Sequence, residues 1–253
     1  MSWAHERKLR AAVEAPLGPS AAPADARVIA RDGWFQRVAP SAPGSWHNEV
    51  LLSRVDAEDA ERVIDDVVAT YRALRKPTKW CTGPWTEPGD FGQRLSRRGF
   101  SSWETRGMGI ATDADVHAPA ATVRRVETEA DLDAYVATSA LAWASPASPV
   151  QRDAYLRALG RELVPFVADG LGAGAILLRD DYGYLVGTAV AEHARGRGVY
   201  RALVAARLAF LRARGIAYAV THAREATSAP ILERLGFETL FRGRCYLLDQ
   251  NTS

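Results

Sequence analysis

The chain has 253 residues, 47% hydrophobic and 25% charged, the composition of a globular protein with room for one large domain or two small ones. A net charge of +2 is too small to make nucleic acid the main partner, and no run approaches the roughly 18 apolar residues of a membrane helix, so neither nucleic acid nor membrane is expected. The start "MSWAHERKLRAAVEAPLG" lacks the apolar core of a signal peptide, and the two cysteines, Cys81 and Cys245, have no metal-ligand spacing; reduced thiols, no metal and a cytoplasmic location are expected.

In chain order, residues 1–24 begin as a charged, helix-compatible piece and pass into "APLGPSAAPADA", which reads as a tether. Residues 25–113 follow, with the strand "NEVLLSRV", a helix bearing Ala60, Val63, Ile64, Val67, Val68, Tyr71 and Leu74 at helical spacing, and the strand "TKWCT". A linker at 114–121, within "TDADVHAPAAT", separates these from residues 122–253; six of the seven tryptophans precede it. The second segment opens with "TVRRVE", a helix from Glu129 to Trp143, a helix from Val150 to Leu163, and strands "PFVADG" and "GAGAILLRD". It then repeats the first segment's pattern: the strand "YLVGTAV", a helix turning Val199, Leu203, Leu208 and Leu211 inward, and the strand "IAYAVTHA". Both segments end on L-x-R-x-G-F, as Leu95, Arg97, Gly99, Phe100 and as Leu232, Arg234, Gly236, Phe237. Glycine there suits a helix C-cap at positive φ, with the aromatic folding back on the last turn. Two α/β modules in tandem are expected. The carboxyl-terminal one has the complete mixed sheet and should hold a ligand by itself.

The stretch "HARGRGVYRALV" at 193–204 places three arginines and two glycines at the mouth of a helix. A helix N-terminus offers unpaired N–H groups and partial positive charge, and glycines let an anion approach them. Arg195, Arg197 and Arg201 add charge suited to phosphate. A tight turn with solvated arginines is the plainer alternative. The spacing fits neither G-x-x-x-x-G-K-[ST] nor the dinucleotide fingerprint.

Arg195-Gly196-Arg197-Gly198-Val199-Tyr200 resembles the Q/R-x-x-G-x-G/A loop of the GCN5-related N-acetyltransferases (GNAT), and "ILERLGF" resembles the family's second signature. The resemblance covers most of residues 122–248. It implies two GNAT-like modules, the first a degenerate copy, and a splayed strand pair that admits acetyl-coenzyme A as co-substrate. The pyrophosphate would sit on the amides of 196–201, with pantetheine along Val190 and Ala191. It implies transfer of an acyl group, most simply acetyl, to a small-molecule amine; a homodimer is left open. Two alternatives also stay open: a non-catalytic acyl-coenzyme A binder, and a transferase using another activated donor.

The sequence departs from the family at Tyr200, in place of glycine or alanine; at Ala226, where many members carry asparagine; and at Leu232, where many carry the tyrosine assigned as general acid. Tyr184, His222 and Tyr246 are therefore the candidates for proton transfer, with Glu192, His193 and Glu225 nearby in sequence. In the first segment "SRVDAEDAER" stands where the loop should be. Asp56, Glu58 and Asp59 are expected to cap that helix and to repel pyrophosphate. The aromatic runs "DGWFQ" and "KWCTGPW" read as core or as a wall between the modules.

Overall fold

The computed structural model describes residues 4–117 and 121–249; residues 118–120 of the expected linker lie outside the described residues. The first half comprises α1 (His5–Glu14), β1 (Arg27–Arg31), β2 (Trp34–Val38), β3 (Glu49–Ser53), α2 (Ala60–Ala73), β4 (Thr78–Thr82), α3 (Phe91–Arg97) and β5 (Ser101–Ala111). The second comprises β6 (Arg124–Arg125), α4 (Glu129–Trp143), α5 (Pro149–Ala158), β7 (Leu163–Ala168), β8 (Gly172–Leu178), β9 (Gly183–Val190), α6 (Val199–Ala213), β10 (Tyr218–Arg224), α7 (Ser228–Arg234) and β11 (Glu238–Leu248). The order β3–α2–β4–α3–β5 is thus repeated as β9–α6–β10–α7–β11. The expected helix over 150–163 ends at Ala158, because the chain turns at Gly160 and re-enters the sheet as β7.

Among the described residues all strands join one mixed sheet of 11, in the order β1-β2-β3-β4-β11-β5-β10-β9-β8-β7-β6. The two last strands are exchanged. β5 lies between β10 and β11, and β11 lies between β4 and β5, all antiparallel. Each repeat also contains one parallel pair, β3 with β4 and β9 with β10. These directions relate the repeats by an approximate two-fold axis normal to the sheet, between β5 and β11. The carboxyl-terminal segment therefore does not own a complete sheet, contrary to the expectation from sequence. Its β10 and β11 are joined only through β5 of the first half.

One face of the sheet carries α2 and α3 over one apolar cluster and α6 and α7 over another. Apolar spacing explains both: Val63, Ile64, Val67, Val68 and Tyr71 are buried on α2, and Val199, Leu203, Leu208 and Leu211 on α6. Each L-x-R-x-G-F run closes its helix as its composition requires. Gly99 and Gly236 take φ of +84° and +92°, and the N–H groups of Phe100 and Phe237 return to the carbonyls of Leu95 and Leu232. The other face carries α1, α4 and α5. The amino-terminal segment is not a free tether: α1 packs across β10, β5 and β11. Arg37 binds the carbonyls of Pro16 and Gly18, and Arg179 that of Ala15, each at 2.6 Å. Among the described residues no helix is long and apolar enough to cross a membrane.

Candidate acyl-transfer site

β9 and β10 pair only at Gly183/Ala219, Tyr184/Val220 and Leu185/Thr221. Beyond Leu185 a bulge bends β9, which stays on β8 through Ala189/Ala173 and Val190/Gly172. The parallel strands therefore part, and Val186, Thr188 and Val190 along the opening are half-buried.

At the far end of β9 the chain forms the loop before α6. Gly196 and Gly198 hold φ of +76° and +79°, and a side chain at Gly196 would meet open space. No side chain caps α6, and its first turn contains no acid. Among the described residues the N–H groups of 196–201 donate to no protein acceptor, the first return bond being Ala202 N–H to Gly198 O. Six consecutive amides at the positive end of a 15-residue helix, with Arg195, Arg197 and Arg201 exposed around them, suit a diphosphate. Tyr200 turns away and packs on the apolar cluster under α6, where burial raises its pKa. Ala191 gives its N–H to Leu171 O, so of the two expected pantetheine contacts only Val190 keeps a donor free. Deeper in α6, Arg207 is fully buried and bonds the carbonyls of Leu203 and Ala175, the latter beside the bulge. Desolvation lowers its pKa to about 10, so it stays charged near neutrality. Its position on an apolar helix face gave no sign of this role.

His222 is the first residue of β10 beyond the last pair with β9. Its Nε2 lies 2.9 Å from Ala12 O of α1, and its Nδ1 lies 3.4 Å from Tyr184 Oη. Its ring keeps accessible surface, yet the protein around it lowers its pKa to about 4 by desolvation. Burial raises the pKa of Tyr184, so a neutral phenol faces a neutral imidazole. His222 stacks edge-on against Phe241 (5.5 Å), and Phe241 against Trp85 of the first half (4.8 Å). Opposite His222, β5 has Gly107, where a side chain would collide with Phe241. Of the aromatic runs, Trp34 and Trp80 build the first half's core and Trp85 alone reaches this row. Phe241 was missed because its place depends on the strand exchange.

Other sequence candidates are not brought here. Tyr246 packs in the core under α2 and α3, since the exchanged β11 carries it into the first half. There it lines an open groove of about 600 Å³ with Thr82, Phe91 and Arg244. Glu225 is held by Arg106 and Arg242, which lower its pKa to about 2, so it serves as a structural anion. Leu232 is buried in the cluster with Phe237, and α7 supplies no hydroxyl from that position. Cys81 and Cys245 face each other across β4 and β11 with Sγ atoms 3.0 Å apart.

In the first half the corresponding parting is filled. The loop after β4 lies along β3, with Glu87 N–H bonded to Ser53 O and Val55 N–H to Glu87 O. Asp59 does not cap α2; its carboxylate pairs with Arg62 at 2.7 Å. Negative charge still stands at that helix start, where the carboxyl-terminal half presents arginines.

A model of the acetyltransferase (GNAT) family matches residues 134–237. A search of the curated proteins found no match. Among solved structures, a GCN5-related N-acetyltransferase from Kribbella flavida is 14% identical, with a TM-score of 0.68 over 95% of each chain. A functionally unknown conserved protein from Staphylococcus epidermidis ATCC 12228 is 12% identical, with a TM-score of 0.68 over 89% of this chain and 94% of that one. A tandem GNAT protein from the clavulanic acid biosynthesis pathway is 18% identical, with a TM-score of 0.53 over 98% of this chain and 95% of that one. At these identities the likeness is one of fold.

Proposed function

Because residues 134–237 form a domain of the acetyltransferase (GNAT) family, we propose that the protein transfers an acyl group, most simply acetyl, from acyl-coenzyme A to the amine of a small molecule. The observation that carries this reading is the pairing of six free amides at 196–201 with a strand parting whose apex holds Tyr184 and His222. The acyl donor supplies an activated thioester. The protein's share is to bind the diphosphate, orient the amine and move its proton. Gly196 to Arg201 would hold the diphosphate, and the accessible N–H and C=O groups of β9 around Val190 would line the pantetheine.

An amine attacks only when neutral, so a proton must leave it. A neutral His222 with a free Nδ1 can take the Tyr184 proton while Tyr184 Oη receives one from the amine. The same pair run in reverse returns a proton to a departing thiolate. With α7 offering only Leu232 at the position resembling the family's tyrosine, Tyr184 is the phenol nearest to this task. We assign the first half a shaping role. It contributes Trp85 and β5 to the site, and its own strand parting is filled and acid-flanked. The test is release of free coenzyme A thiol from acetyl-coenzyme A against a panel of small amines. Amine-dependent release supports the reading, and binding without release from any amine contradicts it.

A further inference from the structure

We propose that the carboxyl end of α1 is a positioning element of the acyl-transfer site, holding His222 in the tautomer whose Nδ1 can accept the Tyr184 proton. The proposal rests on the reading of Tyr184 and His222 given above.

A helical carbonyl at position 12 normally accepts from the N–H of residue 16. That residue is Pro16, which has none, so Ala12 O is left for an outside donor. His222 Nε2 is that donor, 2.9 Å away. A carbonyl can only accept, so Nε2 bears the proton and Nδ1 of the neutral ring bears the lone pair. Tyr184, 3.4 Å from Nδ1, is then the hydrogen donor of the pair. Without Ala12 O the ring is free to take the opposite tautomer, in which Nδ1–H points at Tyr184 and no base remains there.

The approach is built into the helix. Ala11, Ala12 and Ala15 are all buried, and their small side chains let the backbone come down on the sheet. Ion pairs from Lys8 to Glu238 at 2.7 Å and from Arg7 to Asp181 at 2.6 Å tie its outer face to the second half. Arg179 and Arg37 take the next carbonyls, those of Ala15, Pro16 and Gly18. Of the three side chains that cap α1, only His222 has two tautomers to choose between. Around it stand Tyr184 on β9, Phe241 on β11 and Gly107 on β5, and the charges of Lys79 and Glu49, paired to each other, also act on it.

The experiment is imidazole ¹⁵N NMR of the histidine-labelled full chain, with His222→Gln used to assign the resonance, alongside acetyl-transfer pH profiles. The native protein should show a single Nε2–H tautomer for His222, neutral until the pH approaches 4. Lys8→Glu, which sets two carboxylates against each other, should mix the tautomers and lower kcat at least about tenfold. Affinity for coenzyme A should stay unchanged, and the Lys8→Glu/Glu238→Lys double variant should restore both readouts. Pro16→Ala gives Ala12 O an internal donor and should lower the Nε2–H population in a folded protein. An Nδ1–H tautomer in the native chain overturns the proposal, as does a tautomer shift that leaves turnover untouched. Tautomer and pH profile unchanged in both Lys8→Glu and Pro16→Ala, in a chain that does transfer acetyl groups, overturn the proposal while sparing the functional reading. Absence of transfer in the native chain overturns the functional reading itself.

Discussion

In the proposed reading Tyr184 and His222 act as one unit, so removing either hydroxyl or imidazole should have the same kinetic signature. Tyr184→Phe and His222→Gln are each expected to lower kcat by about 10² or more, with coenzyme A affinity unaltered, because neither touches the loop at 196–201. Steady-state kinetics with calorimetry checks this, and a loss under about threefold in both variants would give the proton transfer to solvent. A second residue-scale outcome concerns His47, fully buried, with Nε2 unpaired and Arg37 and Lys79 close by. Desolvation lowers its pKa from 6.5 to about 4. The unfolded chain therefore binds the proton first as the pH falls. Stability is full above 6.5, erodes between 6.5 and about 4, and His47 alone contributes on the order of 3 kcal/mol to that loss. Urea denaturation at neutral and at acid pH should show the slope, and His47→Asn should flatten it; an unchanged slope would clear His47.

The elements divide into those whose signals are local and those set by partners distant in sequence. The loop at 195–201, the inward faces of α2 and α6, and the glycine-ended helices α3 and α7 were legible because each depends on neighbours within about two turns. Tyr184 and His222 could be named as chemical types on two strands, but their contact needs the β9/β10 register, which no local pattern encodes. Tyr246 stands apart from them for the same reason: strand β11 was legible, its neighbours β4 and β5 were not. The stretch after α1 read as a tether because the side chains that anchor it and the end of α1, Arg37, Arg179 and His222, are far away in the chain. The exchange of β5 and β11 can be trapped chemically. Cys81 and Cys245 are paired positions with sulfurs 3.0 Å apart, and their mutual hydrogen bond lowers the pKa of Cys245 while raising that of Cys81. Excess glutathione disulfide should join them by thiol–disulfide exchange, releasing two reduced glutathiones. Non-reducing peptide mapping is expected to find a link between 81 and 245 within one chain. Stable mixed disulfides with glutathione and no such link would refute the placement of β11 beside β4.

At the scale of the whole molecule, the two repeats share one sheet. The shared sheet makes each half complete the other, much as subunits do in a strand-exchanged dimer, but within a single chain. The symmetry of the backbone is not matched by symmetry of chemistry. One repeat opens its parallel pair and sets six amides and three exposed arginines at the helix start beyond it, while the other fills its pair with the loop around Glu87 and sets Asp56, Glu58 and Asp59 at the helix start. From this asymmetry comes the central claim, that acyl-coenzyme A binds once per chain and at the carboxyl-terminal parting. Isothermal titration of the full chain with acetyl-coenzyme A, run beside Gly198→Asp, tests it most directly. The account predicts one site per chain in the native protein and none in the variant, where a carboxylate would stand among the free amides. Two sites per chain, or undiminished binding in Gly198→Asp, would contradict it.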